Sequence, residues 1–160
     1  MTQAVTNARV AAHLGRGPDM SEFDRYLNRS WWVLKIALGL MPILAGLDKY
    51  FNKLADWTMY LSPLATKVVP VSAATFMHVV GVVEIIAGIL VLSRWTKVGS
   101  YIVMLWLLAI AVNLVTTGMF YDLAVRDVEI AAAAFVLAQL STLREAGAAT
   151  TAASKAATQA

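Results

Sequence analysis

The chain has 160 residues, of which 59% are hydrophobic and 14% charged, with a net charge of +3 and no cysteine. A soluble domain of this size carries about a quarter charged residues, so this composition excludes an ordinary water-soluble fold. The lack of cysteine excludes disulfide exchange, iron–sulfur ligation and thiolate catalysis, and two histidines, one of them in a polar tail, exclude a bis-histidine haem within one chain.

Residues 1–18 are small and polar and end in Gly15-Arg16-Gly17-Pro18, which predicts a flexible tail. They hold no long apolar run, so the first span is expected to act as its own insertion signal. From Asp19 to Ser30, Met20, Phe23, Leu27 and Trp31 recur at helical spacing, which predicts a short helix on the membrane surface feeding the first span.

Four apolar stretches follow, about 31–47, 73–92, 98–117 and 124–140. A hydrocarbon core of about 30 Å needs about 20 helical residues, and lipid tolerates only helices or closed barrels. Without period-two alternation, the stretches predict an all-α, four-helix integral membrane bundle over residues 19–142. The connection Asp48–Ser72 carries a stripe of Tyr50, Phe51, Leu54, Trp57 and Leu61, expected as an interfacial helix stopped by Ser62-Pro63. The turn Ser93–Lys97 makes the second and third helices antiparallel neighbours. Residues 143–160, rich in Ala and Thr, are expected as a flexible C-terminal tail, with alanine prolonging the last helix by a turn or two. Basic residues favour the end that holds Arg25, Arg29, Lys35, Arg94, Lys97 and Arg144 over the end with Lys49, Lys53, Lys67 and Arg126, which predicts cytoplasmic termini.

Glu84 dominates the chemistry. A carboxylate deep in a span must be protonated, paired or facing water. Gly81 and Gly88 flank it on one helix face, and such glycines let another helix approach closely, so Glu84 faces protein. It serves either as a protonatable or ligand-anchoring group or as a polar clasp between helices. His78, Asn113, Arg126 and Asp127, with Asp48 and Lys49, come from the same end of four helices and can converge in one polar cavity. Asp122, Arg126 and Glu129 stand at spacings that also allow pairing along their own helix. Lys35, a turn into the first span, is expected to reach the headgroups through its long stem. No catalytic motif, metal-spaced cluster or phosphate loop is present, and the scattered basic residues give no nucleic-acid footprint.

Three segments together resemble the DoxX-like family of small four-helix membrane proteins: Leu38-Gly39-Leu40 through Ala45-Gly46-Leu47-Asp48-Lys49-Tyr50-Phe51, then Gly81-Val82-Val83-Glu84-Ile85-Ile86-Ala87-Gly88, then Ala124-Val125-Arg126-Asp127. The resemblance covers roughly residues 30–142. It implies a prokaryotic inner-membrane protein, with members linked to sulfur-compound oxidation feeding quinone and to membrane complexes that protect against oxidants. Carried over by position, it singles out Lys49, Glu84, Arg126 and Asp127. The expected function is an accessory subunit of a redox or respiratory assembly with partner subunits, its polar core holding a quinone-like molecule. The alternatives are a small proton-coupled transporter working through Glu84 and a purely structural or assembly subunit.

Overall fold

The computed structural model describes residues 20–68 and 70–158. These form long helices with no strand among the described residues: α1 (Met20–Asp48), a 3-10 turn (Trp57–Tyr60), α2 (Pro63–Val68), α3 (Ala73–Leu92), α4 (Thr96–Thr116) and α5 (Tyr121–Thr158). The expected N-terminal tail lies outside the described residues. The expected surface helix is the first part of α1. Within it Arg25 pairs with Glu22 at 3.2 Å on an exposed face. Residues Trp31–Ala160 form a compact unit of their own.

Among the described residues, three helices are long and apolar enough to cross a membrane: Glu22–Asp48, Ala73–Leu92 and Thr96–Thr116. Their outward faces carry exposed apolar side chains such as Val33, Leu40, Val82, Ile86, Leu105 and Val112, which suits a lipid solvent. The fourth predicted span lies in α5 but does not reach the same measure. Arg126, Asp127 and Glu129 precede its uncharged run and Arg144 ends it, leaving Ile130–Leu143, less than the length of a hydrocarbon core. Beyond that run α5 continues as helix to Thr158, further than a turn or two, as its alanines favour.

Packing between α1 and α3 rests on glycine. A Cβ on Gly46 would stand 2.5 Å from the carbonyl oxygen of Gly81, and one on Gly81 would stand 2.6 Å from that of Gly46. One heptad along, Gly88 and Gly39 meet in the same reciprocal way. Two backbones in direct contact leave no room for side chains between them. The inner stripe of α5 is also small: Ala124, Ala131, Ala134, Ala138 and Ser141 are buried, with Leu137 beside them. Trp31, Leu38, Ala87, Val91, Val103, Ala134 and Leu137 make the main apolar core.

The connection after α1 is not the interfacial helix its stripe suggests. Asn52 takes a left-handed φ of 49°, a conformation that ends helices. The Asp48 carboxylate then accepts from the backbone N–H groups of Lys53 and Leu54, each at 3.0 Å. Ser62-Pro63 starts a helix instead of only stopping one. Pro63 opens α2, where its missing N–H costs nothing, and Ser62 Oγ accepts from Ala65 N at 3.2 Å.

Candidate functional site

Glu84 is buried, 7% exposed, on the α3 face that carries Gly81 and Gly88. The glycine contact brings the end of α1 against this face, and Lys49, the first residue past α1, turns back into it. Its Nζ donates to Glu84 Oε2 at 2.6 Å, and Lys49 itself is 4% exposed. A buried ion pair of this kind satisfies the demand that a carboxylate within a span be paired.

The segment 49–62 lies over the pair like a strap. Trp57 places its ring 3.8 Å from Lys49 Nζ, a cation–π contact in a desolvated setting. The indole N–H of Trp57 donates to Asp48 Oδ2 at 2.8 Å, so one carboxylate holds the ring and two backbone amides. The far end of the strap is tied to α4. Asn113 Nδ2 donates to the Tyr60 carbonyl at 2.7 Å, and Asn113 Oδ1 accepts from Ser62 N at 3.1 Å. Tyr60 also meets Phe120 edge-on at 4.9 Å.

Asp127 sits on the inner stripe of α5 and is 4% exposed. It accepts from Arg126 Nη2 at 3.2 Å and lies within electrostatic reach of both Lys49 and Glu84. Arg126 itself is exposed. α4 adds Trp106. Its indole Nε1 is buried and faces the Glu84 carboxylate, yet it meets no acceptor in hydrogen-bond geometry. The Glu84 carboxylate is the acceptor it faces, and an N–H buried without full hydrogen-bond geometry costs free energy.

The sequence-derived candidates therefore divide. Lys49, Glu84 and Asp127 come together, with Arg126 at the edge. Asn113 works as the latch of the strap. His78 is exposed and stacks on Tyr50 with ring centres 4.6 Å apart, while its carbonyl accepts from the Tyr50 hydroxyl at 3.0 Å. Asp122 and Glu129 are exposed, and Arg126 pairs with Asp127 and not with them. Trp57 and Trp106 are the residues that sequence reasoning missed as site members. Trp106 carried a signal: it falls mid-helix, away from the interfacial belts where membrane tryptophans usually belong. No group of three or more metal-ligating side chains is found among the described residues.

The arrangement offers both donors and acceptors: Glu84 and Asp127 use one carboxylate oxygen each toward Lys49 and Arg126. Lys49 has three N–H groups, of which Glu84 takes one and the face of Trp57 another, and Trp106 adds an unused N–H. The lysine and indole N–H groups can donate to an acceptor-bearing head. No family model, curated protein or solved structure matches this chain.

Proposed function

We propose that the chain is an integral membrane protein of the prokaryotic inner membrane and an accessory subunit of a redox or respiratory assembly. In this reading it crosses the bilayer four times, keeps both termini in the cytoplasm, and holds the head of a quinone-like molecule at Lys49 and Trp106. The indole N–H of Trp106, buried beside the Glu84 carboxylate without full hydrogen-bond geometry to it, is the observation that carries the ligand. A quinone presents carbonyl oxygens, which accept hydrogen bonds from such donors. When bound, it would supply electron and proton transfer that no residue of this chain provides. Glu84 fixes the Lys49 ammonium, and the strap keeps bulk water from it.

The fourth crossing is supported by the length of α5 and by its buried inner stripe, which packs along the unit from Ala124 to Ser141. Arg126 is exposed and long enough to reach headgroups from the end of that stripe, while Asp127 faces protein. The redox assignment rests on the DoxX-like resemblance. The transporter reading is weakened by Lys49, which already holds the acid that a cationic substrate would need.

Purification from native membranes in mild detergent, followed by mass spectrometry of extracted isoprenoid quinones, tests this. Trp106→Phe keeps the ring and removes the N–H. Retained quinone is expected to fall several-fold at an unchanged melting temperature. If the unaltered protein holds no more quinone than an unrelated membrane protein, or Trp106→Phe holds as much, the cluster is a structural clasp instead.

A further inference from the structure

The strap over the Lys49–Glu84 pair has a second side, and that side is apolar. Among the described residues no large apolar side chain is more exposed than Leu54 and Val68, each at 73%, and Phe51 follows at 68%. Met59 and Leu64 are exposed as well. None of these lies in a helix long enough to cross a membrane: Phe51, Leu54 and Met59 belong to the strap, Leu64 and Val68 to α2. Exposed apolar side chains gathered on one segment mark a surface that something covers.

The depth of the segment points to lipid. α3 has 20 residues and α4 has 21, about 30 Å at the helical rise, which is the thickness of a hydrocarbon core. Their neighbouring ends, at Ala73 and Thr116, then lie at one border of that core. The segment is fastened inside this border at two points. It leaves α1 at Asp48, level with Val79 and six residues below the start of α3, about 9 Å. It is tied again to Asn113, three residues below the end of α4, about 4.5 Å. α2 follows at once from Ser62 and packs against α4. Apolar side chains that leave the protein at such a level meet acyl chains and headgroups before they meet water.

The polar groups of the segment fit the same placement. Trp57 is spent on Asp48 and Lys49, and the Tyr60 carbonyl and Ser62 N–H on Asn113, so the anchors lie on the protein side. Lys53 and Lys67 are exposed, and their long stems can lie along apolar surface while the ammonium reaches the headgroups. Lys35, near the other border, shows the alternative: it is 8% exposed and donates to the Ser93 carbonyl at 2.9 Å instead of reaching outward.

We propose that Phe51, Leu54, Met59, Leu64 and Val68 form a collar immersed at the border of the bilayer, with a lipid surface as its partner and Lys53 and Lys67 among the headgroups. The strap is then held from both sides, by Asp48 and Asn113 beneath and by the leaflet above. The collar rests on the crossing of the bilayer by α3 and α4 and not on the quinone reading.

The chain has no cysteine, so single cysteines can each carry one fluorophore. Leu54→Cys and Val68→Cys are labelled and compared, in vesicles of phosphatidylcholine and phosphatidylglycerol, with Leu105→Cys, exposed in the middle of α4, and Ala157→Cys, exposed near the end of α5. The quenchers are a nitroxide carried on a lipid near its headgroup and iodide present on both sides of the vesicle. The labels at 54 and 68 are expected to be quenched several-fold more by the lipid nitroxide than the label at 157, and to be shielded from iodide about as well as the label at 105. Circular dichroism checks the fold, and Phe51→Cys replaces either variant that does not fold. If the two labels respond to iodide as the label at 157 does, the segment stands in water and the proposal falls. Labels shielded from both quenchers place protein over the segment and overturn it equally.

Discussion

Breaking the Lys49–Glu84 pair from one side is expected to cost more than removing it whole. At 2.6 Å, two unit charges attract by about 6 kcal/mol at an effective dielectric near ~20. Desolvating both ions, at 4% and 9% side-chain exposure, consumes much of that gain, so the net value of the intact pair is small. A single removal forfeits the attraction and leaves the other ion buried, a loss of about 3–5 kcal/mol. Lys49→Met and Glu84→Leu should each lose about that much. The double variant should lose only about 1–2 kcal/mol, because nothing charged is then stranded. Glu84→Gln should be milder, since its amide oxygen still accepts from Lys49. Equilibrium unfolding in mixed micelles of rising dodecyl sulfate fraction, followed by tryptophan fluorescence, measures all four, and Trp57 over Lys49 makes the probe local. If the single losses add in the double variant to within about 0.5 kcal/mol, the two groups are not coupled and the description of the site is wrong.

Gly46→Ala should cost about 1–3 kcal/mol and loosen the Lys49–Glu84 contact, because its Cβ meets the Gly81 carbonyl oxygen at 2.5 Å. Gly147→Ala, where an added Cβ meets nothing within 4 Å, should instead gain about 0.5–1 kcal/mol from helix propensity, and the same unfolding assay compares the two. Asn113→Leu removes both hydrogen bonds that tie the strap to α4 and should cost about 2 kcal/mol. Its clearer readout is faster tryptic cleavage after the exposed Lys53, with the helices still intact.

The helices were legible because their causes are local. The span Ala73–Leu92 coincides with α3 at both ends, since Ser72 caps its start and the Ser93-Arg94-Trp95 turn ends it. The inward direction of Glu84 was legible from Gly81 and Gly88, because close backbone approach is a property of glycine itself. Asp127 was legible as a candidate, but its burial becomes evident only from the spacing Ala124, Asp127, Ala131, Ala134, Ala138, Ser141, a heptad of small residues with one acid in it. What could not be read is the strap. The aromatic stripe from Tyr50 to Leu61 has helical spacing, and only the placement of Asp48 against Lys53, Leu54 and Trp57 shows that those amides are taken by a carboxylate. Lys35 misled for a similar reason. A long cationic stem fits both an outward reach and a turn toward a helix end, and the position of Ser93 decides between them.

The position of Lys49 is a consequence of where α1 stops. Gly46 faces Gly81 and Gly39 faces Gly88, so α1 and α3 run antiparallel in a fixed register, and Asp48 comes level with Val79. Six residues of α3 lie beyond that point, about 9 Å at the helical rise. Had α1 continued alongside them, Lys49 would be one more helical position beside Tyr50 and His78. Because Asn52 turns left-handed and Asp48 gathers the following amides, the chain leaves the helix at that level and crosses the gap as a strap. Lys49 stands at the bend, level with His78, where its stem can fold back along α3 toward Glu84, and Trp57 returns on the Asp48 carboxylate to cover it. One early helix end therefore sets the cation, the strap and the ring together, while the glycine contact beneath holds the acid at the depth they need.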